Sequence, residues 1–565
     1  MRLLSLKYPG SSFLQRARIF CVAAMFIATT AVVGLAEGQG QGDLDEAMIK
    51  RIDAKTPEDL QQVTTLLESA IAKGLDEENL AFAKKMLGAV SLQKGQAVAD
   101  RIRESGGQGF LQLRIEAINA LENAVKFDPT LAAAHLLIAR LNVLPGGNPD
   151  RARQAATAAI ENLEDDDRAR AEAYVLRALL QEERAAQMAD LDEAIEADSQ
   201  NIPAYQGRAM LRMQQGQTEA ALEDMQQLLE LNPENSAVVT EAVRALLRLE
   251  RIDEAEQLLT KALSDQPRGE LYRLRAVIYQ SQEKTDKALD DLSKALTLDE
   301  RDFAALLMRA EIYLGQEKVQ EAQRDVRRAM QIEPNSVQGI LMRSLLAFEE
   351  GRMTDAINDM QLLVDSVPDN SNFVLQLANY YQMDRRPRKA VEVLTSLIDR
   401  EPQNWRALRA RGDARLSTTE HAEAVADYLQ ALEAIKKEAD IDELGTSKSG
   451  ILNNLAWVLA TSPKDELRDG DKALQAAKEA SDLTDYQQAH ILSTLAAAYA
   501  ELGQFEKAID WATKAVERGT ETENEQLEQL KEELKSYQEG KPWREAQDVQ
   551  ENVVPILSAE DIIDT

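Results

Sequence analysis

The chain has 565 residues, too long for one ordinary core and consistent with a stacked array. Its 26 glycines and 15 prolines are few for that length, and Ala, Leu, Glu and Gln dominate, which favours helix. A net charge of −32 argues against a surface for nucleic acid or anionic lipid, and a lone cysteine excludes a disulfide framework and a Cys-ligated zinc.

Residues 1–36 hold four basic residues (Arg2, Lys7, Arg16, Arg18) and no acidic one. Ile19 to Leu35 is almost wholly apolar, and Gly34-Leu35-Ala36 sets small residues at −3 and −1 of a cleavage site after Ala36. This is the layout of a secretory signal peptide, with an uncleaved N-terminal anchor as the alternative. Cleavage would remove Cys21 and leave 61 basic against 97 acidic residues, a net −36. A thiol-free chain suits an oxidising compartment, so the expected location is exported, periplasmic or in the cell envelope. The acidic surface serves solubility or recruits basic partners.

Residues 37–42 read as a linker and 43–79 as an N-terminal helical cap. In that cap, Thr56-Pro57-Glu58-Asp59 places an N-cap, a first-turn proline and first-turn acids, and the helix ends near Gly74. Residues 80–201 hold irregular helical hairpins. The first has Leu87-Gly88 in one helix and Ala117, Leu121 and Ala124 in the other, with about 17 extra residues between them around Gly106-Gly107-Gln108-Gly109. That stretch reads as an exposed loop; as a phosphate cradle it lacks the lysine and the preceding strand. The next hairpin starts at Leu131 and turns at Pro145-Gly146-Gly147-Asn148-Pro149.

Residues 202–436 keep a beat. Pro233, Pro267, Pro334, Pro368 and Pro402 are spaced 34, 67, 34 and 34, with Glu300 where the skipped proline would fall. Two amphipathic helical runs precede each beat, the mark of a solenoid of hairpins. Small residues recur at repeat position 8 (Ala209, Val243, Ala276, Ala310, Ser344, Ala378, Gly412). Alanine fills position 20 throughout: Ala221, Ala255, Ala288, Ala322, Ala356, Ala390 and Ala424. Small side chains there let the two helices of a hairpin approach closely. On these residues the sequence resembles tetratricopeptide repeat proteins over roughly residues 80–520; Val243, and leucine at position 27 (228, 363, 397), depart from the family pattern. The resemblance implies an all-α, right-handed superhelical solenoid of stacked helix-turn-helix repeats. Residues 437–519 read as a C-terminal pair of repeats with insertions, similar to the end of large exported bacterial arrays. Residues 520–539 read as a capping helix with Leu527, Leu530 and Leu534 on one stripe, and 540–565 as an acidic tail, either disordered or docked back.

Several repeats carry arginine at position 7 and aspartate at position 23: Arg208 with Asp224, Arg275 with Asp291, Arg309 with Asp325, Arg343 with Asp359 and Arg411 with Asp427. Arg177 with Asp190 is the same pair in a shorter hairpin. Where position 7 is apolar, position 23 is apolar too, as in Ala242 with Leu258 and Leu377 with Val393. The covariation within one chain predicts an Arg–Asp bridge across each hairpin, which removes the arginine row as a phosphate or carboxylate ladder.

His135, His421 and His490 have no second ligand at metal spacing, and no Ser or Thr nucleophile has a base in context. The expectation is therefore no enzyme activity, cofactor or metal. Members of the resembled family bind through the concave face, mainly by positions 2, 5, 9 and 12 of the first helices. Those positions give Arg273, Leu307, Leu341, Leu345, Phe348, Asn379, Gln382, Arg406, Arg409, Asn453 and Trp457. Leu341, Leu345 and Phe348 either form an apolar pocket for a partner side chain or pack between repeats. The family's carboxylate clamp is matched only at Asn379, with Arg406 and Arg409 one repeat further on. The sequence thus points to a protein- or peptide-binding scaffold of the bacterial cell envelope that binds no nucleic acid and touches membrane only through an uncleaved leader. The alternatives are a structural subunit of an envelope assembly or secretion complex, or a regulatory partner of a separately encoded enzyme.

Overall fold

The structure, a computed structural model, describes residues 39–104, 109–437, 445–522, 526–545 and 551–552. The leader read at 1–36 and most of the glycine-rich stretch before Gly109 lie outside them. The described residues form 27 α-helices, one short 3-10 turn and no strand. None of these helices is long and apolar enough to cross a membrane. The chain divides into two compact units, one running to Pro267 and the other from Arg268.

The first unit stacks six hairpins. They are α1 (Gln41–Asp53) with α2 (Pro57–Lys73), α3 (Glu77–Glu104) with α4 (Phe110–Phe127), α5 (Ala132–Val143) with α6 (Pro149–Asn162), α7 (Asp167–Ala178) with α8 (Arg184–Ala197), α9 (Ile202–Gln214) with α10 (Thr218–Leu231), and α11 (Ser236–Arg248) with α12 (Ile252–Asp265). The second unit continues the pattern with α13 (Gly269–Ser281), α14 (Thr285–Leu298), α15 (Phe303–Gly315), α16 (Val319–Ile332), α17 (Val337–Glu349), α18 (Met353–Ser366), α19 (Ser371–Met383), α20 (Pro387–Arg400), α21 (Trp405–Ser417) and α22 (His421–Ile435). It closes with α23 (Gly445–Thr461), α24 (Gly470–Asp482), α25 (Ala489–Glu501), α26 (Phe505–Glu521) and a last helix, α27 (Leu527–Gln538).

The beat in the sequence has a local cause. Pro233, Pro334, Pro368 and Pro402 follow the last residues of second helices, where a proline cannot continue the helix. Two residues later Asn235, Ser336, Asn370 and Asn404 cap the next first helix through their side chains. At the other end of each first helix the chain turns through a left-handed residue: Gly216, Glu250, Glu283, Glu317, Gly351, Arg385 and Thr419. The amide after it bonds back to the helix, as Lys318 N does to Tyr313 O at 2.8 Å, a helix-ending motif that favours glycine at the left-handed position.

Packing follows the small-residue pattern. All seven position-20 alanines are fully buried. At position 8 Ser344 donates to the Ala356 carbonyl at 2.9 Å, and a Cβ on Gly412 would stand 2.7 Å from the Tyr428 ring. One expectation changes. The extra residues after Leu87 lengthen α3 to 28 residues and do not form a long loop. Val90, Val98 and Ile102 extend its apolar stripe, and Gly95 lets it close on Leu121.

Within each unit the first helices of neighbouring hairpins touch one another, as α5 does α7 and as α19 does α21. Among the described residues no pair of second helices approaches as closely. The first helices therefore line the inner side of each unit.

Candidate functional site

The arginine row is consumed internally. In all six predicted pairs Nε donates to Oδ2 at 2.7–3.1 Å and Nη2 to Oδ1 at 2.6–2.8 Å. The aspartates are buried. A further donor often reaches the preceding hairpin: Arg208 bonds Asp192 at 2.7 Å and Arg309 bonds Ser293 at 3.0 Å. The hydrogen bond to Asp325 holds the Arg309 guanidinium above its ordinary pKa, against the opposing effect of burial. These arginines are ties between helices.

The residues read as concave-face candidates fare differently from one another. Arg273 pairs with Asp302, the cap of α15. Leu307 is buried in the core of the second unit. Leu341 and Phe348 are half-buried against the same unit's larger core, and the Phe348 ring stacks on Tyr380 of the next first helix at 5.0 Å. Leu345 is half-buried. Asn453 is buried, with its Oδ1 lacking a hydrogen-bond partner. Asn379 is exposed on α19 with Gln382 half-buried one turn on; Arg406 is exposed on α21 with Arg409 half-buried one turn on. Arg406 lies 4.4 Å from the centre of the Trp405 ring.

Around Arg409 the inner face becomes a polar network that position counting did not single out. The Arg409 guanidinium lies over Gly450 and within 3.9 Å of Asp413. Asp413 accepts from the Tyr428 hydroxyl at 2.7 Å and from Asn454 at 2.8 Å. Burial pushes the Asp413 carboxyl above the usual carboxylate range, and the bonds from Tyr428 and Asn454 with the charge of Arg409 pull it back. Asp413 occupies position 9 of its repeat, the position of Asn379 in the repeat before, and that equivalence was the available signal.

The chain after α27 returns to the array. Trp543 packs against the core of the second unit. Arg544 forms an ion pair with Glu501 at 2.6 Å and donates to the Ala460 carbonyl at 3.2 Å. The Glu545 amide donates to the Thr461 carbonyl at 3.0 Å. Burial pushes the Glu545 carboxyl above its usual range, with a hydrogen bond from Trp457 acting the other way. Further on, Glu551 pairs with Arg388 at 3.1 Å. Asn552 donates from its amide to Arg385 O at 2.9 Å and from its side chain to Asp384 at 3.0 Å. Of the two fates left open for the tail, these residues take docking; the apolar run 553–557 lies outside the described residues.

A notch of about 520 Å³ between α2, α3 and α4 has Asn123 bonded to Glu68 at 3.2 Å and to Ser91 at 3.3 Å. His135 Nε2 lies 2.8 Å from the Pro129 carbonyl and His421 Nδ1 lies 3.3 Å from Ser462 Oγ. Among the described residues no group of three His, Cys, Asp or Glu side chains gathers as a metal site.

The class defined by this geometry is a stacked helical-hairpin protein with an inner face of first helices. Tetratricopeptide repeat family models match residues 212–278, 273–337 and 375–439, and 489–518. These stretches of the chain are tetratricopeptide repeats. Solved structures with similar arrays include a tetratricopeptide repeat protein from Parabacteroides merdae (20% identity, 46% of this chain and 99% of that one, TM-score 0.35). Two others are the APC/C hetero-tetramer Cut9-Hcn1 (16% identity, 87% and 96%, TM-score 0.35) and the P58(IPK) TPR domain (17% identity, 72% and 98%, TM-score 0.27). At these values the likeness does not extend to function. No curated protein matches the chain.

Proposed function

We propose that this chain is a non-catalytic scaffold of the bacterial cell envelope that binds a protein or peptide along the inner face of its second unit. A tetratricopeptide repeat array is suited to protein interaction, and the finer reading rests on what the inner face leaves available. The position-7 arginines are neutralised by their aspartates, whereas Asn379, Gln382 and Arg406 on α19 and α21 keep side chains at the solvent boundary and Arg409 lies half-buried with Asp413 only at 3.9 Å. That contrast carries the proposal. Two amides followed by two guanidiniums suit an extended segment, with the amides pairing to its backbone and the guanidiniums to acidic groups. The envelope location rests on the basic and apolar leader at 1–36.

The test is a pull-down of the chain from its own envelope extract beside an Asn379→Arg/Arg406→Glu variant of equal helicity. The reading expects a partner that the variant loses. A partner retained at full yield by the variant contradicts it. Fractionation of cells with an antibody to the chain tests the location, and recovery in the cytosol with residues 1–36 still attached contradicts export.

A further inference from the structure

The contacts of the returning chain lie along one edge of the second unit, at the C-terminal ends of its first helices. Arg544 meets Glu501, the last residue of α25, and the carbonyl of Ala460 near the end of α23. The Glu545 amide meets Thr461, the last residue of α23. Glu551 and Asn552 meet Asp384, Arg385 and Arg388, around the turn that follows α19. Helix C-termini present carbonyls without intrahelical partners and carry the negative end of the helix dipole. They attract N–H donors and cations, and the returning residues bring backbone amides, a guanidinium and a carboxamide. The Arg385 carbonyl is offered by a left-handed turn residue. The equivalent carbonyl of Thr419, one hairpin on, receives the Lys464 ammonium at 3.5 Å. The edge is thus a row of acceptors repeated hairpin by hairpin, and residues 544–545 and 551–552 bond to it.

The grip is uneven. Trp543 is half-buried, and Glu501 is held on its other side by Arg468 at 2.9 Å, so Trp543 and Arg544 sit on a fixed base. The far end rests on Arg388, whose side chain is 70% exposed, and an ion pair so open to solvent holds weakly. Two carboxylate oxygens, Glu545 Oε2 and Glu551 Oε1, are buried here with no hydrogen-bond partner. The tail therefore docks without satisfying all its polar groups, which favours exchange over permanent closure.

We propose that Trp543–Glu545 and Glu551–Asn552 are a displaceable internal ligand, and that the edge they occupy is a docking track for an extended partner peptide carrying an indole, a guanidinium and a carboxylate in that order. Because the Glu545 carboxyl reaches Trp457, the resident tail also covers one of the residues predicted to bind on the inner face. The track differs from the Asn379–Arg409 surface and stands or falls separately from it.

The test uses the full chain and a labelled peptide of residues 541–552, followed by fluorescence anisotropy. The wild-type chain binds the peptide at least about tenfold more weakly than a Trp543→Ala/Arg544→Glu chain, because the tethered copy competes at a high effective concentration. Adding Arg388→Glu to that chain weakens the peptide again, and adding Arg406→Glu leaves it unchanged. Equal affinity for wild type and variant, or no binding to either, overturns the proposal. A wild-type dimer that exchanges tails also overturns it, since a second copy would then be the occupant. If Trp543→Ala/Arg544→Glu loses helicity, Glu551→Arg/Asn552→Ala frees the exposed end and should still tighten peptide binding. Hydrogen exchange on the wild type gives an independent reading. The Glu545 and Asn552 amides should be protected, and exchange at the free-chain rate would refute docking.

Discussion

Arg309 holds Asp325 with two parallel hydrogen bonds, Nε to Oδ2 at 2.7 Å and Nη2 to Oδ1 at 2.8 Å, across the two helices of one hairpin. Asp325 is 3% exposed, so losing its partner strands a carboxylate. Breaking a buried pair from one side costs about 3–5 kcal/mol, and the partial exposure of Arg309 brings the expectation for Arg309→Ala to about 2–3 kcal/mol. Removing both charges is a different experiment. Leu377 with Val393 already does this work in the hairpin α19–α20, so Arg309→Leu/Asp325→Val should recover most of the loss. Hydrogen exchange of α15 and α16 measures both variants locally, which suits an array that need not unfold in one step.

The hairpin turns make a second prediction. Glu317 has φ 59° where Gly351, one repeat later, has φ 72°. A side chain in the left-handed region costs of order 1 kcal/mol, more than the added chain entropy of glycine takes back. Glu317→Gly should therefore stabilise its hairpin by about 0.5–1 kcal/mol, and Gly351→Ala should destabilise its own by about 1 kcal/mol, read as shifts in urea midpoint. A destabilised Glu317→Gly would show that the glutamate side chain contributes more than its strained backbone costs.

How far the sequence reached can be judged at these same residues. The Arg–Asp ties were legible because the chain writes them six times and writes apolar pairs where they are missing. The stack of hairpins was legible because Ala221, Ala255, Ala288 and their equivalents recur on one period. Features used once were not legible. Arg544 and Asn552 meet partners 43 to 168 residues away, and no repeat announces those contacts. The length of α3 was not legible because the cluster Gly106-Gly107-Gln108-Gly109 draws the extra residues toward a loop, while Val90, Val98 and Ile102 continue the apolar stripe of the helix. Among the candidate positions, family spacing marked the first-helix residues to consider. It could not show that Arg273 is taken by Asp302 or that Phe348 lies against Tyr380, because those partners belong to the following repeat.

The last helix carries a pH signature. Glu533 is buried on α27, accepting from Ser493 of α25 and from Gln529 at 2.9 Å, with Tyr537 close by. Burial pushes its carboxyl above the ordinary value and those two hydrogen bonds only partly reverse this. The folded state therefore favours the protonated form. Its contribution to stability is complete below the ordinary carboxyl range and is lost as pH rises through the folded value. Glu533→Gln should raise the melting temperature of the C-terminal hairpin at pH 7.5 and give a smaller gain at pH 5. A gain that does not change with pH would mean the carboxyl titrates as if exposed.

The central claim is that partners are taken on the inner side, by the first helices. It is tested most directly by placing a photo-crosslinking phenylalanine derivative at Arg406 on α21, and in a separate chain at Glu423 on α22, both exposed positions of one hairpin. Irradiation in whole-cell extract should give a discrete adduct from position 406 and none from position 423. An adduct from 423 alone would put the binding surface on the second helices and contradict the account.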